Sequence, residues 1–265
     1  MSDQKSERIN DLNNKEIIFK RRYYLKRILL MLLMLLFVLA CAFLLYAEKY
    51  YHADASAAEA LASDETVTVE QTGYGWFFDG PSSEDGLIFY PGGKVEETAY
   101  APFLKKLAAG GLDVCLVKMP FRLAVLDLQA AERILPQYSY ERWYIGGHSL
   151  GGAMAASFAA EHEKEVNGVI LCAAYPTAEL DDSYLEITVY GSEDRIVNRE
   201  KIERGRTFAP DVSEEYVIEG GNHAQFGNYG IQKGDGTARI SVEEQQTQAA
   251  ERILETLRRQ EKKSA

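Results

Sequence analysis

Cysteine is scarce in this chain, with 3 in 265 residues, and no two form a C-x-x-C pair. Cys41 lies in an apolar run, and Cys115 and Cys172 lie in strand-like segments, where cysteine serves as a small hydrophobe. This pattern predicts neither a disulfide nor a structural zinc site. An excess of positive charge is also lacking. The formal net charge is -11, which opposes binding to phosphate backbones, so no nucleic-acid partner is expected. Internal repeats are absent, and the length and average composition fit one globular domain with a short appendage. Histidine occurs only 4 times, which leaves few candidates for a base working near neutral pH.

What the chain does have is one long hydrophobic run. Ile28 to Tyr46 is an uncharged stretch of nineteen residues. As a helix it spans about 28 Å at about 1.5 Å per residue, the thickness of a hydrocarbon core. Residues 1–27 hold eight Lys/Arg against four Asp/Glu, or +4, so -15 remains beyond the run. Lys20, Arg21, Arg22, Lys26 and Arg27 crowd one flank, whereas the other offers Glu48 and Lys49 before turning acidic. The positive-inside rule therefore predicts a cytoplasmic N-terminus, with everything after Tyr46 on the far side.

A cleaved signal peptide is the competing reading, with Ala53-Asp54-Ala55 as its cleavage site. The run exceeds the roughly 7 to 15 apolar residues usual there, so an uncleaved single-pass anchor is favoured. Leu39-Ala40-Cys41 has the look of a lipoprotein box, yet Ala42 to Tyr46 stay apolar where a mature lipoprotein turns polar. The expected organisation is a basic tail over 1–27, a transmembrane helix over 28–46, a partly helical spacer over 47–65 and a folded domain over 66–265.

Within that domain, apolar, β-branched or aromatic runs recur near 66–71, 74–78, 86–90, 113–118, 143–147, 166–172, 186–190 and 214–218. Several are continuously apolar, as strands covered on both faces are. Helices are expected between them over 98–109, 124–135 and 150–162, and a last one follows the capping box Ser241-x-x-Glu244. Alternating strands and helices predict an α/β fold with a mostly parallel, doubly wound sheet.

One turn carries a chemical signature. Gly147-His148-Ser149-Leu150-Gly151 is G-x-S-x-G between a strand and an alanine-rich helix. A sharp turn there projects the Ser149 hydroxyl from the carboxyl edge of the sheet, and the glycines avoid collisions with neighbouring backbone. The Leu150 N–H points into the same space, where it can stabilise an oxyanion. A serine hydroxyl needs a base. His52 falls in the spacer, His162 ends the helix after the turn, and His148 should point away from the serine oxygen. His223, in Gly220-Gly221-Asn222-His223 after the last strand, returns to the carboxyl edge.

A carboxylate must then orient the imidazole. Asp194 follows the strand ending near Tyr190, with Glu193 as its local rival, whereas Asp181 and Asp182 precede that strand at the wrong edge. The loop Pro91-Gly92-Gly93-Lys94 supplies a second oxyanion donor, from Gly93 or Lys94. It is not a phosphate-binding P-loop, because Val95 follows Lys94 and the upstream glycine is missing.

With YPGGKVEETAY, GGHSLGG, YGSEDRIV and GGNHAQFGNYG, residues 66–260 resemble the α/β-hydrolase superfamily, above all its compact bacterial members grouped with dienelactone-hydrolase-like proteins. The resemblance implies eight strands with the second antiparallel, and acyl transfer to water by Ser149, Asp194 and His223. Two departures stand out. Pro91 occupies the place of a histidine found in many relatives, and dienelactone hydrolases proper use cysteine where this chain has Ser149.

Only about a dozen residues separate Cys172 from Leu185, which leaves no room for a large cap. The site is expected to be shallow, framed by Phe121, Arg122 and Gln225, with Arg122 a candidate partner for an acidic group. The expected chemistry is hydrolysis of a carboxylic ester or related acyl bond through an acyl-enzyme, on a small-molecule or lipid-like substrate, with no cofactor and no metal. An acyltransferase using the same intermediate and a silent binding or scaffold protein on the same fold are the alternatives.

Overall fold

The computed structural model describes residues 2–81 and 84–264. The chain forms two compact units, Met1–Lys49 and Tyr50–Ala265. The first is one helix, α1, Ser2–Ala47. Within it Phe19–Ala47, 29 residues, is long and apolar enough to cross a membrane, and it includes the whole run from Ile28 to Tyr46.

The second unit is built on eight strands: β1 Thr68–Gln71, β2 Gly75–Asp79, β3 Asp85–Tyr90, β4 Leu112–Val117, β5 Arg142–His148, β6 Gly168–Cys172, β7 Leu185–Gly191 and β8 Val212–Ile218. They lie in the order β1-β2-β4-β3-β5-β6-β7-β8. β2 runs antiparallel to both neighbours, and β3 to β8 are parallel. This is the mostly parallel sheet that the alternation of strands and helices predicted, with the eight strands and antiparallel second strand that the resemblance to α/β-hydrolases implied.

Alternation along the strands divides the core in two. Leu87 and Phe89 of β3, with Val114 and Leu116 of β4, join Phe103 and Leu107 of helix α3, Ala101–Ala109, on one face. Ala250 and Ile253 of helix α6, Val242–Ser264, complete that layer. Ile88, Tyr90 and Cys115 point the other way, onto Ala155 and Phe158 of helix α4, Leu150–Glu161. Both faces are covered, which is why the central strands read as unbroken apolar runs.

Three segments depart from expectation. The helix expected over 124–135 is instead a chain of 3-10 turns at Ala124–Leu126, Leu128–Arg133 and Leu135–Gln137. The Tyr90 hydroxyl explains this: it donates to the Leu128 carbonyl and accepts the Ala131 N–H, both at 2.9 Å, taking groups that an α-helix would pair internally. A short helix not anticipated, α5 at Arg199–Gly205, starts from an Asn198 side-chain cap and contributes Ile202 to the core. The segment expected as a spacer over 47–65 belongs to the folded unit from Tyr50 onward. Tyr51 bridges to Val95, and helix α2, Ala55–Ala60, buries Ala57 after an Asp54 cap. The capping box of α6 is half made: Ser241 Oγ accepts the Glu244 N–H at 3.1 Å, while the Glu244 carboxylate takes the Gln248 amide at 3.4 Å.

Glycine is obligatory where strand and helix meet most closely. A Cβ on Gly147 would stand 2.3 Å from the Tyr90 carbonyl oxygen, whereas one on Gly73 would meet nothing within 4 Å. Gly147→Ala should therefore lower the melting temperature of the detergent-solubilised chain by about 10 °C or prevent folding, with Gly73→Ala nearly neutral. A thermal melt of the two variants decides this, and equal melting would contradict the packing described.

Candidate functional site

The turn between β5 and α4 holds Ser149 at φ 53° and ψ -121°, a conformation that strains any side chain with a Cβ. It is fixed from both sides. The Ser149 N–H donates to the Cys172 carbonyl at 3.0 Å, and the Ser149 carbonyl accepts the Ala153 N–H at 3.0 Å. Flanking residues leave no room for side chains. A Cβ on Gly151 would stand 2.2 Å from the Tyr90 oxygen, and one on Gly152 would stand 2.5 Å from the Ala174 Cβ.

His223 follows β8, and its Nδ1 lies 2.8 Å from Asp194 Oδ2, with both side chains buried. The other Asp194 oxygen accepts the N–H groups of Ile196 and Val197 at 2.8 and 2.9 Å. Asp194 is thereby held in place by its own turn. With Nδ1 donating to the carboxylate, Nε2 is the acceptor nitrogen of the neutral ring. That atom is buried and has no hydrogen-bond partner among the described residues. Ser149 and His223 line one pocket of about 270 Å³ with Leu150, Ala173, Tyr175 and Val197, but no hydrogen bond joins the two. The rival carboxylate, Glu193, turns to Arg239 at 2.5 Å.

Of the two candidate oxyanion donors before the helix, Lys94 is occupied, because its N–H donates to the Arg122 carbonyl at 2.8 Å. Gly93 lies against Leu150, whose Cδ2 would stand 2.9 Å from a Cβ at that glycine. The amides of Gly93 and Leu150 have no acceptor among the described residues. The three expected substrate contacts fall outside the pocket. Arg122 stacks on Tyr50, with its guanidinium carbon 3.3 Å from the ring centroid, and Phe121 is exposed beside it. Gln225 is used by the fold, its side-chain amide donating to the Ile240 carbonyl at 3.1 Å. The pocket walls that sequence reasoning missed are Tyr175, Ile196, Val197 and Asn198, from loops without periodic pattern, and Lys201, from the unanticipated helix α5.

His148, which should point away from Ser149, anchors the His223 loop instead. The Gly92 N–H donates to the Tyr100 hydroxyl at 2.9 Å, and that hydroxyl donates to His148 Nδ1 at 2.9 Å, the direction required because the other ring nitrogen faces a carbonyl. The remaining nitrogen, Nε2–H, then donates to the His223 carbonyl at 3.1 Å. A Cβ on Gly92 would collide with both Tyr100 and His148, at 2.6 and 2.7 Å. From the far side, Gln245 of α6 accepts the Asn222 N–H and donates to the Asn222 carbonyl, each at 2.8 Å. The fixed loop explains a buried glutamine on the apolar face of α6, the one mark of this role in the sequence.

Burial first, and the adjacent His223 second, hold the His148 pKa well below its ordinary value of 6.5, while burial pushes the Tyr100 phenol up. The unfolded chain takes up a proton near pH 6.5 that native His148 refuses, so its stabilising contribution is present above that pH and lost as pH falls. His148→Gln should flatten the acid limb of stability, by up to about 1.4 kcal/mol per pH unit below about 6.5. Parallel limbs in a pH series of melts would contradict a neutral His148. Tyr100→Phe leaves a buried N–H and a buried ring nitrogen unpaired and should destabilise by about 2 kcal/mol or more, measured in the same melts.

Comparisons with known proteins agree with this architecture. Residues 86–247 match the model of a family described as the alpha/beta hydrolase family. No curated protein matches the sequence. Among solved structures, the chain is similar to TT1662 from Thermus thermophilus, with 15% identity and a TM-score of 0.52 over 73% of this chain and 97% of that one. It is also similar to a protein described as a CIB-like hydrolase from Thermoplasma acidophilum, with 16% identity and a TM-score of 0.51 over 73% and 99% of the two chains. A carboxylesterase from Mesorhizobium loti gives 13% identity and a TM-score of 0.51 over 73% and 99%. At such identities the likeness is one of fold. The family match covers more than half of the chain, and the chain belongs to the α/β hydrolase family.

Proposed function

We propose that this chain is a serine hydrolase that cleaves a carboxylic ester or related acyl bond, with Ser149 as nucleophile, His223 as base and Asp194 as the group that orients the base. The observation that carries this reading is the state of His223. Its ring is pinned by Asp194, while Nε2 is left without a partner in a pocket shared with a strained serine. In the reaction Ser149 Oγ attacks the acyl carbon as its proton passes to Nε2. The carboxylate stabilises the imidazolium, and the amides of Leu150 and Gly93 receive the developing oxyanion. The leaving alcohol takes the proton from Nε2, and water, activated by the same nitrogen, then releases the acid. The chemistry calls on no metal or organic cofactor.

The substrate in this reading is a small or lipid-like acyl compound. The pocket supports it: Leu150, Ala153, Ala173, Ile196 and Val197 give apolar walls, and Asn198 and Lys201 add polar groups at one side. The same reading anchors the protein through the 28–46 helix, with the basic tail in the cytoplasm and the catalytic domain outside it.

A fluorophosphonate should label the unsubstituted chain stoichiometrically, and Ser149→Ala should abolish the label. Asp194→Asn should lower kcat on an activated ester by about 10⁴-fold while preserving the fold. Labelling that survives Ser149→Ala, or a chain inert to both fluorophosphonate and a panel of activated esters, would overturn the assignment.

A further inference from the structure

The folded domain begins at the same edge of the sheet as its candidate catalytic residues. Tyr51 pairs in parallel with Val95 just past the end of β3: its N–H donates to the Lys94 carbonyl at 2.8 Å, and its carbonyl accepts the Glu96 N–H at 2.9 Å. Tyr50 lies under Arg122, in the segment that follows β4. On the other side, the loop after His223 reaches Tyr51. The Lys233 N–H donates to the Tyr51 hydroxyl at 3.1 Å, and the Tyr51 and Tyr229 rings are 5.5 Å apart. The chain thus joins the domain between the segment after β4 and the loop after β8, both at the carboxyl edge.

Those two segments are unusual in what they show to solvent. Phe121 is 47% exposed, Val125 57%, Leu126 49% and Ile231 95%. Among the described residues of the domain, the other large apolar side chains so exposed are Val212 and Val217, on the edge strand β8. Arg122 and Lys233 lie in the same two segments, balanced by Asp127 and Asp235, although the chain beyond the hydrophobic run carries -15. Exposed apolar side chains in segments spared that negative charge suit a surface that lies in a bilayer interface.

Covalent geometry supplies the partner. The uncharged run ends at Tyr46, and Tyr50 follows after Ala47, Glu48 and Lys49. An extended chain spans at most about 3.5 Å per residue, so Tyr50 stays within about 14 Å of the end of the run whatever the tether does. Phe121 adjoins Arg122, whose guanidinium stacks on Tyr50, and so lies beside the residue constrained in this way.

We propose that Phe121, Val125, Leu126 and Ile231 form a membrane-seating rim that dips into the interfacial layer of the bilayer. The pocket over Ser149 then opens toward lipid, and the substrate class is an amphiphilic ester delivered from the membrane rather than from bulk water. This rests on the anchoring and esterase readings above, and the experiment separates their failures from its own.

The full chain is reconstituted in phosphatidylcholine and phosphatidylglycerol vesicles with brominated acyl chains, which quench tryptophan at short range. Phe121→Trp, Val125→Trp and Ile231→Trp report on the rim, Val212→Trp on the edge strand, and Phe37→Trp on the helix, each corrected for native Trp76 and Trp143. Strong quenching at 37, 121, 125 and 231, with little at 212, is the expected result. Rim signals no more quenched than that at 212, with 37 quenched, would overturn the proposal and leave the anchor standing. An unquenched signal at 37 would remove the anchor, and the rim with it. As a second readout, Leu126→Asp with Ile231→Asp should raise KM about tenfold for a long-chain ester embedded in vesicles and leave KM for a water-soluble short-chain ester unchanged. An equal rise for both esters would refute delivery from the membrane, and inactivity of the unsubstituted chain on both would strike the esterase reading instead.

Discussion

A chain of three hydrogen bonds, from the Gly92 amide through Tyr100 and His148 to the His223 carbonyl, ties together the loops on which the site is built. Gly92 follows β3, His148 ends β5 and His223 follows β8, so the bonds join three separate parts of the sheet's carboxyl edge. The chain has one consistent direction. The His223 carbonyl can only accept, so His148 Nε2 carries the ring proton, Nδ1 is the acceptor, and the phenol donates to it while accepting the Gly92 amide. A charged His148 would break that order, because Nδ1 would then be a donor and the phenol proton would lose its acceptor. Burial keeps the ring neutral, and neutrality keeps the direction of the chain.

The same logic extends to His223 itself. His223 is restrained through its backbone by His148 and through its ring by Asp194, and the preceding Asn222 is fixed by Gln245. Asp194 is held in turn by the Ile196 and Val197 amides. Preorganisation of this kind is what electrostatic stabilisation of a transition state requires, since donors that are already aimed need no rearrangement at the moment of reaction.

Much of the fold was legible because the central strands are buried on both faces, and unbroken apolar runs bounded by glycine leave little choice of element. Ser149, Asp194 and His223 were legible because strand order sends each of them to the carboxyl edge. The segment over 124–135 was not, because its helix is undone by a tyrosine hydroxyl on β3, a partner no local pattern reveals. Arg122 looked like a substrate contact, but its partner is Tyr50, in a stretch that reads as a loose spacer. His148 gave no sign in the sequence of its structural task, which depends on Tyr100, 48 positions away. Gly93 and Lys94 could be separated only once the Arg122 carbonyl was seen to take one of the two amides.

The direction of α6 has a practical consequence. Gln245, near its start, bonds to the histidine loop, while Arg258, near its end, donates to the Gly110 carbonyl just before β4. The helix therefore carries the chain from the reactive end of the sheet to the opposite end. An affinity tag or fluorescent fusion appended after the final residues would emerge on the side away from the pocket, whereas an insertion near Ser241 would land among the groups that hold His223.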